Sequence, residues 1–243
     1  MEIQTSKNIL DQVSNYSKKY HQPDDYDYFL FHQHRYLILI SFIQKYYQPE
    51  NRFLDIGSHL HYITLAAKII GYEVFGIDLF EYVEKTKDIA MELEIDNRSV
   101  DLGYDKLPFQ DNFFNVINFS ETLEHFNFHP QKVFNEMFRV LKFEGKVIIS
   151  TPNLLRLNNR IKLMIGQSIH SDLNEKYGSG THYREYSSQE IKILLEQSGF
   201  TKYNLSYINF NYPNANPFVR FIGNIVSFFF KSLKSNLLII AEK

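Results

Sequence analysis

A cluster of metal-ligating and proton-moving side chains stands at Glu121-Thr122-Leu123-Glu124-His125, directly after the apolar run Phe113-Phe114-Asn115-Val116-Ile117-Asn118-Phe119, with His182 as a distant partner. The run reads as a buried strand and the residues after it as the opening of a helix. On that helix Glu121, Glu124 and His125 stand at i, i+3 and i+4 and share one face. Three potential ligands then converge just past a strand's carboxyl end, the edge where open α/β sheets hold what they bind.

Such an edge needs a sheet, and the rest of the chain has the pattern of one. Arg52-Phe53-Leu54-Asp55-Ile56-Gly57 is a short apolar strand closing on Asp and Gly, and a helical segment over Tyr62–Ile70 follows, stopped by Gly71. Glu73–Asp78 repeats the strand signal and residues 82–93 the helix. Val100-Asp101-Leu102 ends a weak third strand, residues 113–119 make a fourth, residues 130–141 a helix, and residues 145–151 a fifth strand. Helices alternating with continuously apolar strands predict a parallel, doubly wound Rossmann-like α/β sheet covered on both faces. Helical periodicity over residues 36–43 predicts an N-terminal helical cap, residues 1–48, on one domain spanning 49–243.

Composition narrows the chemistry. The 243 residues, 44% hydrophobic, suffice for one sizeable core. A net charge of −2 supplies no global basic field to gather nucleic acid or anionic lipid. With no cysteine, the chain has neither a thiolate nucleophile nor a thiolate metal site. The polar start has no apolar signal core and no stretch is long enough to span a bilayer, so a cytoplasmic protein is expected.

The strand ends say what is bound. Asp55 and Gly57 close the first strand where a backbone turn approaches a ligand, and Asp78 closes the second, where a carboxylate can accept both hydroxyls of a ribose. An adenosine-containing cofactor is implied. The loop Gly57-Ser58-His59-Leu60-His61 lacks the G-x-G-x-x-G that a dinucleotide pyrophosphate requires, which argues against NAD and FAD.

The order Leu54-Asp55-Ile56-Gly57, Gly76-Ile77-Asp78, Val100-Asp101-Leu102, Leu107-Pro108-Phe109, Ser120-Glu121 through Glu124-His125, Arg139-Val140-Leu141-Lys142, Gly145 and Thr151-Pro152-Asn153 resembles class I S-adenosylmethionine-dependent methyltransferases. The closing residues 236–243 resemble that fold's antiparallel last strand in a seven-stranded sheet. The resemblance implies that Asp55, Gly57 and Ser58 face the methionine moiety of S-adenosylmethionine, Asp78 and Leu79 the ribose, Asp101 and Leu102 the adenine, and Ser120 the sulfonium side. The family's glycine-rich first loop keeps only Gly57 here. His59 and His61 replace smaller residues and either crowd the cofactor or point away from it; retained binding is expected, because Ser58 is small.

Glu-x-x-Glu-His at this place, with His182 later, is similar to ubiquinone-pathway O-methyltransferases and to enzymes that methylate the terminal ribose of small RNAs. In those relatives two glutamates and two histidines hold a divalent cation, which makes Glu121, Glu124, His125 and His182 candidate ligands for Mg²⁺ or Mn²⁺. The metal-free alternative has His125 or His182 as general base, with the glutamates capping amides or pairing with a cation. The expected reaction is methyl transfer to a hydroxyl of a sugar, glycan precursor, small polyol or catechol. Ribose 2′-O-methylation of RNA and a non-catalytic binding role are the alternatives, the acidic balance weighing against RNA.

Two insertions, residues 154–180 and 209–235, are expected on the substrate side. The first carries Arg156, Arg160 and Lys162 and reads as a lid or an anion contact. The second contains residues 217–234, apolar with basic ends, which would lie on a membrane surface or pack on the domain itself or a second copy.

Overall fold

The computed structural model describes residues 5–170, 181–210 and 229–243. Most of the 217–234 segment, and residues 171–180 of the other insertion, lie outside the described residues.

Two helices open the chain, α1 (Ser6–Tyr20) and α2 (Pro23–Lys45). Thr5 caps α1 by accepting from the Asn8 amide at 3.2 Å, and Pro23 begins α2, a position whose N–H has no helical partner anyway. Next come β1 (Arg52–Ile56), α3 (Tyr62–Ile70), β2 (Glu73–Asp78), α4 (Phe80–Glu92), β3 (Asp96–Ser99) and β4 (Phe114–Ser120). The chain continues through α5 (Gln131–Val140), β5 (Leu141–Pro152), α6 (Leu157–Met164), α7 (Ser188–Gln197), β6 (Lys202–Ile208) and β7 (Asn236–Glu242).

Among the described residues the strands form one seven-stranded sheet in the order β3-β2-β1-β4-β5-β7-β6. β1 to β5 pair in parallel, and β7 runs antiparallel to both β5 and β6. This is the Rossmann-like architecture read from the sequence. One face packs Leu54, Ile117, Val147 and Ile239 against Phe134 and Met137 of α5 and Ile191 and Leu195 of α7. The other packs Phe53, Val74, Val116 and Ile148 against α3, α4 and both N-terminal helices, with Phe29, Leu39, Ile40 and Ile43 of α2 fully buried. α2 is thus part of the sheet's own core, which fixes its position beside the strand ends.

Two expectations shift. The third strand is the polar segment Asp96–Ser99, not one ending at Leu102, because it is an edge strand pairing only with β2 and half open to solvent. No α-helix opens at Glu121. Glu121 adopts φ 51°, its amide donates to the Ser150 carbonyl at 2.8 Å, and only one 3₁₀ turn, Leu123–His125, follows before α5.

Candidate active site

A cavity of about 810 Å³ is lined by the carboxyl ends of β1, β2, β4 and β5, by α2, and by the loops that follow these strands. Asp55, Gly57, Ser58, Asp78, Leu79, Asp101, Leu102 and Ser120 line it together with Glu121, Glu124, His125 and His182. The two groups read separately from the sequence therefore share one space.

The first group is built on the β1–β4 junction. Asp55 and Asn118 face each other in register, and Asn118 Nδ2 donates to Asp55 Oδ1 at 2.7 Å. Thr64 Oγ1 donates to the other carboxylate oxygen at 2.7 Å, and Ser120 Oγ to Asn118 Oδ1 at 2.7 Å. Asp78 receives the amides of His59 and Leu79, each at 2.7 Å, so its carboxylate is held in a fixed orientation. At Gly57, φ is 75°, and an added Cβ would run into the Thr122 side chain. Only glycine lets the turn pass this close.

The two loop histidines separate. His59 and His61 both adopt left-handed backbone conformations, φ 46° and 60°, at positions where smaller residues are usual in the resembling family. His61 turns away from the cavity and is buried, its ring bonded to Thr64 Oγ1 at 3.3 Å and Thr86 Oγ1 at 3.1 Å. His59 stays in the cavity wall, edge-on to Tyr28 and Tyr82 at ring separations of 5.6 and 5.0 Å.

Burial raises the Asp55 carboxyl to about 6, against the opposing bonds from Asn118 and Thr64, and raises Asp78 to about 6, against its two amide bonds. Each group then binds its proton more tightly folded than unfolded. Its contribution to stability is complete below the ordinary value of 3.8 and is lost as pH rises through about 6. Because the buried histidines, whose pKa values are lowered, act in the opposite sense over the same range, the carboxyl's share is read from the variant: Asp78→Asn should shift the change in urea midpoint between pH 5 and pH 7.5 upward relative to the parent, and an unchanged difference would refute this.

The second group is tighter than the sequence suggested, and smaller. Glu124, His125 and His182 each offer a ligand atom, all within 4.8 Å of one another. Ligands bonded at about 2.1 Å to one ion lie at most about 4.2 Å apart, so atoms at the wide end of this trio's range would have to draw closer before one ion could bridge them. His125 Nδ1 meets the Thr181 carbonyl at 3.0 Å, which places the proton on Nδ1 and leaves Nε2 as the basic atom. Burial lowers the His125 pKa, as do the neighbouring His182 and Arg35, with the Thr181 bond opposing. Glu124 accepts from Thr151 Oγ1 at 3.0 Å, and burial and the Glu121 charge push its pKa well above the usual carboxylate range.

Glu121 is not in the trio. Its carboxylate accepts from Ser150 Oγ at 2.8 Å and from Asn236 Nδ2 at 3.4 Å, and faces Arg35 Nη1 at 3.6 Å. Arg35, on α2, was not singled out in the sequence, nor were Tyr28 and His32, which also line the cavity. The signal was present: Arg35 interrupts the face that carries Leu39 and Ile43, where a buried charge needs a partner. Asn118 inside the apolar β4 run is a second such signal. Behind His182, Glu185 lies 3.8 Å from Nδ1 and binds Arg156 at 2.5 Å and Asn159 at 2.9 Å. Burial would raise its pKa, but the bonds from His182, Arg156 and Asn159 prevail and hold it at about 2.

Residues 26–205 match the profile of a family described as a methyltransferase domain. Functionally curated proteins include none that matches the sequence. Solved structures that are similar include an S-adenosylmethionine-dependent methyltransferase from Archaeoglobus fulgidus, 15% identical with TM-score 0.59, the match covering 94% of this chain and 98% of that one. One from Thermotoga maritima, described as a possible histamine N-methyltransferase, is 17% identical with TM-score 0.59, covering 97% and 98%. Phosphoethanolamine N-methyltransferase 2 of Haemonchus contortus, in complex with S-adenosylmethionine, is 15% identical with TM-score 0.56, covering 84% of this chain and 51% of that one. At these identities the likeness is one of fold.

Proposed function

The chain belongs to the methyltransferase-domain family as a class I S-adenosylmethionine-dependent methyltransferase, and from that premise we propose that it methylates a hydroxyl of a small acceptor: a sugar, a glycan precursor, a polyol or a catechol. The observation that carries this reading is the convergence of Glu124, His125 and His182 on one point of the cavity, with His125 Nε2 as its basic atom.

The residues present suit the cofactor. A volume of about 810 Å³ lies within the roughly 300–1,000 Å³ of ligand pockets. The close-passing turn at Gly57 would face the methionine end, the oriented Asp78 carboxylate retains lone pairs for two ribose hydroxyls, and Asp101 and Leu102 would flank the adenine. S-adenosylmethionine, when bound, supplies an electrophilic methyl group on sulfonium. A hydroxyl attacks well only as it loses its proton, and His125 Nε2, kept neutral by its lowered pKa, is the group to take it. Thr181 holds the imidazole ring in the required tautomer. Alternatively, Glu124, His125 and His182 would hold Mg²⁺ or Mn²⁺ as three ligands, Glu121 being committed elsewhere; Nε2 would then be a ligand and not the base, and the ion would supply Lewis-acid polarisation of the acceptor oxygen in its place.

Seven carboxylates and one arginine line the cavity, which disfavours a polyanionic RNA acceptor. The same lining, with Asp24 and Asp25 in it, supports a second reading, transfer to an amine that binds as its ammonium ion and attacks after giving up a proton to a base such as His125. Purified protein with S-adenosylmethionine and panels of polyols, catechols, sugars and amines distinguishes the two through S-adenosylhomocysteine release. Turnover on hydroxyl acceptors, raised by Mn²⁺ or Mg²⁺ and lowered by EDTA, is the expected result. Methylation of amines with every hydroxyl acceptor inert would sink the hydroxyl reading.

A further inference from the structure

We propose that α6 and the 3₁₀ turn Lys231–Leu233 form a face with which the protein docks on an anionic lipid bilayer. α6 is inverted relative to an ordinary surface helix, in which the apolar stripe faces inward. Its one buried residue is Asn159, which donates to the Leu154 carbonyl and to Glu185, each at 2.9 Å. Arg156, preceding the helix, makes a second polar anchor to Glu185 at 2.5 Å. The helix is therefore held down by polar bonds while its large apolar side chains point outward: Ile161 and Leu163 are exposed, Met164 is 86% exposed and Ile165 63%.

The second half of the face is joined to the first by Asn153, whose Nδ2 donates to the carbonyls of Ser232 at 2.9 Å and Lys234 at 2.8 Å. That bond seats the turn beside the start of α6, and Phe230 at its head is 63% exposed. Arg160, Lys162, Lys231 and Lys234 alternate with these apolar groups along the two segments, and residues 154–170 and 229–235 contain no Asp or Glu, although the whole chain carries −2. Exposed apolar side chains on segments whose charged residues, among the described ones at 154–170 and 229–235, are all basic are complementary to an acyl boundary beneath anionic headgroups. A two-fold interface between copies would instead bring like charges together. Pro152, just before this face, lines the cavity, so docking would set the active-site mouth near the membrane.

The test is co-sedimentation of the full chain with vesicles of phosphatidylcholine alone and of equimolar phosphatidylcholine and phosphatidylglycerol. The expected result is binding to the anionic vesicles, weakened by salt and reduced about tenfold or more by L163E/I165E and by K162E/K231E. Thermal melting and S-adenosylhomocysteine affinity serve as folding controls for both variants, neither of which alters the cavity lining. If L163E/I165E fails them, the charge-reversal variant decides alone. Absence of vesicle binding, equal binding to neutral vesicles, variants that bind like the parent, or a concentration-dependent dimer abolished by L163E/I165E without vesicle binding would each overturn the proposal.

Discussion

Replacing His125 with alanine is expected to lower kcat by about 10²- to 10⁴-fold, the range for loss of a positioned base, while cofactor affinity stays near that of the parent. The ring is locked by Thr181 with Nε2 as its basic atom, so the variant loses the one atom that serves either as proton acceptor or as one of the three convergent ligand atoms. The Asp55 and Asp78 contacts are untouched. Because His125 is held below its ordinary value of 6.5, kcat of the parent at saturating cofactor should remain flat through neutral pH. Its acid limb should fall below 6.5, where the imidazole takes up a proton, and the variant should lack that limb. Rapid-quench or continuous S-adenosylhomocysteine assays across pH read this directly. A variant within a few-fold of the parent would remove His125 from the chemistry.

Arg35→Met is expected to cost about 3–5 kcal/mol of stability, the penalty for removing one partner of a buried charge pair. Burial works against the Arg35 charge, but Tyr36, Tyr28 and Glu121 outweigh it and raise its pKa above the ordinary value. Its Nη2 reaches Tyr28 at 3.3 Å and Tyr36 at 3.4 Å, while Nη1 faces Glu121. Methionine keeps much of the volume but leaves the half-buried Glu121 beside the buried Glu124 without the guanidinium that faces it. Adding Glu121→Gln to Arg35→Met should recover part of the loss, and that non-additivity is the signature of direct coupling. Urea unfolding of the parent, both single variants and the double variant measures it. Additive losses, or an Arg35→Met chain within about 0.5 kcal/mol of the parent, would show that α2 is held by packing alone.

Most of the sheet was legible because its strands are continuous apolar runs and its helices end on glycine or begin on caps, signals that act within a few residues. β2 lies at Glu73–Asp78 and α3 at Tyr62–Ile70, the bounds their patterns predict. β3 was misplaced because an edge strand needs no apolar face, so the visible Val100 and Leu102 belong to the loop beyond it. The helix expected at Glu121 failed for a local reason that periodicity does not carry: Glu121 takes a left-handed conformation and bonds across to β5.

By itself the sequence determined the doubly wound sheet, the carboxylates at the ends of β1 and β2, and the placement of Glu124 and His125 after β4, because strand ends and spacing are local properties of the chain. Only the tertiary structure decided which side chains meet. It drew Glu121 out of the ligand set toward Ser150, Asn236 and Arg35, brought His182 in, turned His61 away from the cavity, and made α2 a wall of the site. Those outcomes depend on packing between segments far apart in the chain and on single backbone dihedrals, and neither leaves a periodic trace in the sequence.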